Sequence, residues 1–469
     1  MNEPDILNSK VHIAQEARPR TSADSASAGR PESRPTTPSA LREFDGVSSS
    51  FTDVKSHHTV MRRYLRYQGA TFKTILDDNG GAGMGFDVLR LALATLILLV
   101  HSSWIVGTSG VTTSILSFIF HINPETVSGL AQATIQHPRL TGVHPNEHEL
   151  TGLGRPITLS YLPMFFALSG FLVTGSALRT RRLIPFLGLR VLRLLPALFV
   201  EVTLSAIILG AIFTQLPLSQ YYASPMFFSY FLNIVGDVHL YLPEVFAGNN
   251  TDIVNSNLWT LPWELQCYIL MSIMMATGVV FHRKVLVILF GIATIVLIYS
   301  SVVHGYQVVP AQVGGPTLVY YFSTGVLTFL WRDKFVFNGG LFLVFVGICY
   351  FLMMSTKTVF IYPVLLTYIT VFIGLCPFPR FPLVKSGDYS YGIYLYGFPV
   401  TQAVFAVSLL MGFSQRGNLA VIAPLAVLAT VAFAALSWHG VEKHCLKLKR
   451  YISPKSYKID TALHPGAPG

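Results

Sequence analysis

Long apolar runs separated by short polar or charged segments set the pattern of the chain. The first, FDVLRLALATLILLVHSSWIVG (86–107), is followed by runs at 157–178, about 191–213, 258–281, about 284–303, 314–331, 339–354, 358–376, 388–411 and 419–440. A helix that crosses a bilayer needs about 20 mainly apolar residues, so the pattern predicts an all-α, polytopic membrane helix bundle of about ten spans. The aromatic stretch MFFSYFLNIVGDVHLYL (226–242) is too polar for a span and reads as interfacial or re-entrant. Residues 1–85 are rich in Ser, Arg, Pro and Thr, with no apolar run to serve as a signal-peptide core. They read as a disordered cytoplasmic tail, in which MRRYLRYQGATFKTIL (61–76) has the character of an interfacial helix. The membrane domain is expected over 86–442, and 443–469 form a basic cytoplasmic tail.

Composition agrees with this pattern. Charged residues are 12% of the chain and hydrophobic residues 52%, with a mean hydropathy of +0.52; soluble domains carry roughly twice that charge. The formal net charge of +10 raises nucleic acid as a partner, but its placement points elsewhere. With the N-terminal tail inside, the inner segments after the first span hold seventeen Lys and Arg, and the outer ones hold four: Arg139, Arg155, Lys357 and Arg416. That asymmetry puts both termini in the cytoplasm of a multi-pass cell-membrane protein, with a bacterial inner membrane as the expected location. The lipid bilayer accounts for the charge, and no nucleic-acid partner is expected. The four cysteines are scattered singly and predict neither a disulfide framework nor a metal knuckle. His121, His137, His144 and His148 lie irregularly in a loop and read as surface histidines, so no metal site is expected.

The candidate chemistry lies in ionisable groups at membrane depth, where an unpaired charge is costly. Arg90 and His101 are eleven residues apart, which puts them on one helix face about 16 Å apart along the axis. Taken singly, Arg90 fits snorkelling to headgroups and His101 fits a satisfied core histidine. Together they offer a permanent cation with a titratable base further in. In FFALSGFL (165–172), Ser169 and Gly170 allow close helix packing, or leave room for a ligand. Arg190 and Arg193 share a face at the cytoplasmic boundary, as positive-inside topology alone would give, or as a phosphate clamp would need. Glu201 and Glu264 are membrane-embedded carboxylates, inert or paired for structure, or else orienting the histidine or an incoming hydroxyl. Pro262 is expected to interrupt the helix near its outer end and open a polar pocket. SGDYSYGIYLYGFPV (386–400), with Tyr391 and Tyr394, reads as an aromatic wall or an interface belt, against which a sugar ring could lie.

Several of these pieces occur together, in order, in one known family. FDVLRLALATLILLVH, FFALSGFLVTGSALR, RVLRLLPALFVEV, LWTLPWELQCY, DYSYGIYLYGFPV and WHGVEKHCLKLK resemble the acyltransferase-3 membrane O-acyltransferases of bacterial surface glycans, over about 86–450. The resemblance implies a ten-span bundle that takes an acyl group, usually acetyl, from cytoplasmic acyl-CoA as co-substrate, with no bound cofactor. The acceptor is a saccharide hydroxyl on a polysaccharide, lipopolysaccharide or lipo-oligosaccharide. Arg90 and His101 carry over as the paired essential residues, Arg190 and Arg193 as an Arg-x-x-Arg motif near the donor, and Glu264 as the family's glutamate. Where many members have a histidine after SYxIYL, this chain has Tyr396 and Gly397. Ser169 joins the donor-binding set, with Glu201, Tyr391 and Tyr394 in support. An extended pantetheine arm is on the order of the Arg90–His101 separation, which allows phosphates at the cations and a thioester at the imidazole acting as general base. The competing class is a proton-coupled transporter or glycan flippase, for which intramembrane charges are common but no inverted repeat is evident.

Overall fold

The computed structural model describes residues 60–81, 83–107, 155–303, 314–354, 358–379, 387–412 and 419–452. The histidine-bearing loop at 108–150, most of the N-terminal tail and residues 453–469 lie outside them. Helices are α1 (60–67), α2 (Phe72–Asp78), α3 (Phe86–Val106), α4 (Arg155–Thr180), α5 (Leu183–Leu204), α6 (Leu261–Ala276), α7 (Arg283–Val303), α8 (Gly315–Leu330), α9 (Gly339–Met353), α10 (Pro363–Leu375), α11 (Ser390–Leu410) and α12 (Leu419–Ser437). Among the described residues there are only two isolated β-bridges and no strand.

Each predicted span contains a helix, and six helical segments are long and apolar enough to cross a bilayer: those at 86–106, 156–180, 183–213, 283–300, 390–410 and 419–452. The others, α6, α8, α9 and α10, are 13 to 16 residues long. At 1.5 Å per residue these fall short of a hydrocarbon core of about 30 Å. For α6, a 3₁₀ turn at Ser256–Thr260 takes the apolar residues just before the helix. Pro262 sits in the first turn of α6, where its missing N–H costs nothing, so it starts the helix instead of interrupting it. The lipid-facing side is plain on α7, where Ile288, Ile292, Ile295, Val296 and Tyr299 are exposed.

Close packing begins with α4 and α8. A Cβ on Gly170 would lie 2.0 Å from the Phe322 carbonyl oxygen, and one on Gly325 would lie 2.0 Å from that of Ala167. The backbones therefore touch, as small residues permit between membrane helices. α11 lies against α3 and α12. It carries Pro399, which leaves the Leu395 carbonyl without its helical donor; Asn255 Nδ2 donates to that oxygen at 3.0 Å. Asn257 Nδ2 donates to the next carbonyl back, Tyr394, at 2.5 Å.

Two predicted segments differ in detail. The 61–76 stretch breaks at Gly69 (φ 83) into α1 and α2. α2 buries Phe72, Ile75 and Leu76, and Phe72 stacks on Phe335 and Tyr368, so this part of the predicted tail is folded onto the bundle. The 226–242 stretch forms a short helix, Pro225–Tyr230, and a 3₁₀ turn, Phe231–Val235, ended by Gly236 at φ 89. It covers Tyr221, Tyr230, Val245 and Val254 in a second hydrophobic cluster and does not span.

Candidate active site

A cavity of about 110 Å³ opens between α3, α4, α5, α6 and α11. Its walls include Arg90, Ser169, Arg190, Arg193, Glu264, Tyr391 and Tyr394, which are seven of the nine residues expected from the sequence. Along α4 the lining runs from Val173 to Leu162, a rise of about 16 Å, so the cavity is elongated along the bundle axis. A volume this small accommodates the narrow end of a substrate and not a nucleotide.

The cations hold fixed positions. Arg190 and Arg193, one helical turn apart on α5, both face the cavity. Arg190 Nη2 donates to Ser176 Oγ at 2.7 Å, and its guanidinium lies over the Phe186 ring at 5.5 Å. Arg193 Nη2 donates to Asp388 Oδ2 at 2.8 Å. Arg90, on the second turn of α3, pairs with Asp87 and reaches the same Asp388 oxygen at 3.6 Å. The other Asp388 oxygen accepts from Ser390 Oγ at 2.7 Å. Burial pushes the Asp388 carboxyl up, but Arg193 and Arg90 outweigh it and hold its pKa below the ordinary aspartate value. Arg90 Nε and Arg190 Nε are buried with no partner among the described residues, leaving donors unspent beside the cavity.

Glu264 sits in the first turn of α6, accepts from Tyr268 Oη at 2.5 Å, and feels the charges of Arg193 and Arg190. Cys267 and Tyr268 line the same space. Tyr394 Oη pairs with Thr260 Oγ1 at 2.8 Å, and Tyr391 Oη donates to the Leu194 carbonyl at 3.2 Å, so both rings are held as walls. Ser169 lines the cavity while its neighbour Gly170 makes the backbone contact with α8. The close-packing reading thus holds at Gly170.

A family model described as an acyltransferase domain matches residues 85–439. The chain belongs to the acyltransferase-3 family. It is 28% identical over 296 residues to an O-acetyl transferase of Shigella phage Sf6, covering 60% of this chain and 83% of that one. It is likewise 28% identical over 318 residues to Nodulation protein 10 of Rhizobium leguminosarum bv. viciae, covering 63% and 84%. No solved structure matches. The protein is a membrane O-acyltransferase, which sets the carrier reading aside.

Two of the nine expected residues are not among those lining this cavity. Glu201 is fully buried in a separate polar cluster, where its Oε1 accepts from Ser205 Oγ at 2.8 Å and Asn255 Nδ2 at 2.9 Å. His101 lies three turns beyond Arg90 on α3, its ring edge-on to Phe398 at 5.2 Å and tilted against Trp104 at 6.2 Å. Phe398 is one turn along α11 from Tyr394, which lines the cavity, while His101 itself is not among the lining residues. Gly397 lets α11 approach α3: a Cβ there would lie 3.0 Å from Leu98 Cδ1. Sequence reasoning did not single out Asp388, Tyr268 or Ser176. The available signal for Asp388 was its position in the DYSYGIYLYG motif, at the start of a span in a chain with few acidic residues.

Proposed function

We propose that this enzyme moves an acetyl group from cytoplasmic acetyl-CoA to a hydroxyl of an exported or cell-surface saccharide. The observation that carries the reading is the convergence of Arg90, Arg190 and Arg193 on an elongated, mainly apolar cavity lined along about 16 Å of α4. Guanidiniums at the cytoplasmic mouth suit the diphosphate and phosphate of CoA. The pantetheine arm then lies along Leu172, Ser169 and Phe165, carrying the thioester to the outer end of the cavity.

The acceptor approaches from the opposite side, where the buried rings of Trp104 and Phe398 hold His101 in place. His101 acts as general base: it takes the proton from the sugar hydroxyl as that oxygen attacks the thioester carbon. The C–S bond breaks, the proton passes to the departing thiolate, and the products are the ester and CoA. Glu264, held by Tyr268, positions the arriving donor through its charge balance with Arg190 and Arg193.

Membranes containing the protein, incubated with labelled acetyl-CoA and the host's glycan extract, test this. Wild type transfers label to glycan with release of CoA, and His101→Ala loses at least about 10²-fold in rate while inserting normally. Transfer retained in that variant removes His101 from the mechanism, and wild-type membranes that release no CoA from any acyl-CoA remove the donor.

A further inference from the structure

The Asp388 carboxylate occupies the position that an anionic ligand would take. One of its oxygens lies 2.8 Å from Arg193 and 3.6 Å from Arg90, so the two cations best placed for a phosphate are already engaged by the protein. Asp388 also stands between two spaces. Ser390, which donates to it, lines the inner 110 Å³ cavity; Asp388 and Ser390 together line a second cavity of about 330 Å³ with Asp87, Tyr389 and Trp438. Room therefore exists for the carboxylate to turn away from the arginines without moving the backbone. The unspent Nε–H groups of Arg90 and Arg190 add that a larger anion would find donors that one carboxylate leaves unused.

We infer that Asp388 is an internal counter-anion, which holds the seat formed by Arg90 and Arg193 in the empty enzyme and is displaced toward the larger cavity by the phosphates of the donor. In naming the displacing ligand, this rests on the acyl-CoA reading. The carboxylate keeps two partly buried like charges neutralised between turnovers, and its departure joins the second cavity to the inner one along Ser390. Because the seat is occupied part of the time, the apparent affinity for an anion is reduced by the fraction that is free. A residue that only braced the arginines would have the opposite effect, since its loss would weaken binding.

Detergent-purified full-length wild type, Asp388→Asn and Ser390→Ala are titrated with CoA and, separately, with inorganic pyrophosphate. Asp388→Asn is expected to bind both roughly tenfold more tightly, the effect of removing one competing charged contact. Ser390→Ala, which loses only the tether on the carboxylate, shifts affinity the same way by about two- to threefold. In turnover, Asp388→Asn lowers the KM for acetyl-CoA without raising kcat. Binding of both probes that is unchanged or weaker in Asp388→Asn overturns the inference, as does failure of both probes to bind any of the three proteins. Tighter pyrophosphate binding with no CoA binding anywhere upholds the role of Asp388 and removes the acyl-CoA donor. If Asp388→Asn does not fold, Ser390→Ala decides by the sign of its shift.

Discussion

Glu201 and Glu264 both project from helices inside the bundle, and their surroundings differ in kind. Glu201 is enclosed by neutral donors, Ser205 and Asn255, and Asn255 in turn closes the Leu395 carbonyl freed by Pro399. The helix carrying Glu201 relaxes into a π-turn at Ser205–Leu209, whose carbonyls at Ala206 and Ile207 accept from Tyr221 and Tyr222 at 2.6 and 3.0 Å. This region is a knot that satisfies the α11 carbonyl freed by Pro399. Glu264 has one neutral partner, Tyr268, faces two arginines and borders a cavity. A buried carboxylate held by neutral donors alone holds structure, whereas one poised between cations and open space is available to a ligand.

The largest expected separation is in activity. Glu264→Ala should lower acyl transfer by roughly 10²-fold, with a melting temperature close to wild type because the side chain borders a cavity. Glycan labelling and thermal unfolding on the same preparation check this, and a melting temperature that collapses with activity would make Glu264 a structural residue like Glu201. Next comes Gly170→Ala, whose Cβ would meet the Phe322 carbonyl at 2.0 Å; helix must separate from helix, at about 3 kcal/mol or more, and little folded protein should accumulate. Ser169→Ala, one residue away on the cavity side, should leave accumulation unchanged.

The apolar runs were legible because each repeats over a whole span, and the face shared by Arg190 and Arg193 followed from helical spacing alone. Glu201 and Glu264 looked alike for the same reason: sequence gives depth along a helix but not which neighbours face it. Asp388 was passed over because its meaning comes from Arg193, 195 residues earlier in the chain. Asn255 was illegible in the same way, since the carbonyl it satisfies exists only because Pro399 lies 144 positions later on another element. Local pattern locates elements, and the partners of polar groups are settled by packing between them.

The Glu201 knot can be probed at two strengths. Asn255→Ala leaves Glu201 without one donor and the Leu395 carbonyl without its partner, so it should cost about 2–3 kcal/mol of stability and loosen the Tyr394 wall.

Glu201→Gln should do least of all. The amide oxygen can accept the same two hydrogen bonds, from Ser205 and Asn255, and the amide nitrogen would replace Oε2, which has no hydrogen-bond partner among the described residues. The exchange removes the need to bury a charge and adds one donor to be satisfied, effects of opposite sign, so stability should stay within about 1 kcal/mol of wild type. Transfer per folded molecule should stay within about threefold, because the side chain makes no cavity wall. Thermal unfolding and glycan labelling of this variant therefore sharpen the contrast from its quiet side. A tenfold loss of transfer at unchanged stability would mean that the Glu201 carboxylate takes part in the reaction, and the division between a structural and a reactive carboxylate would fail.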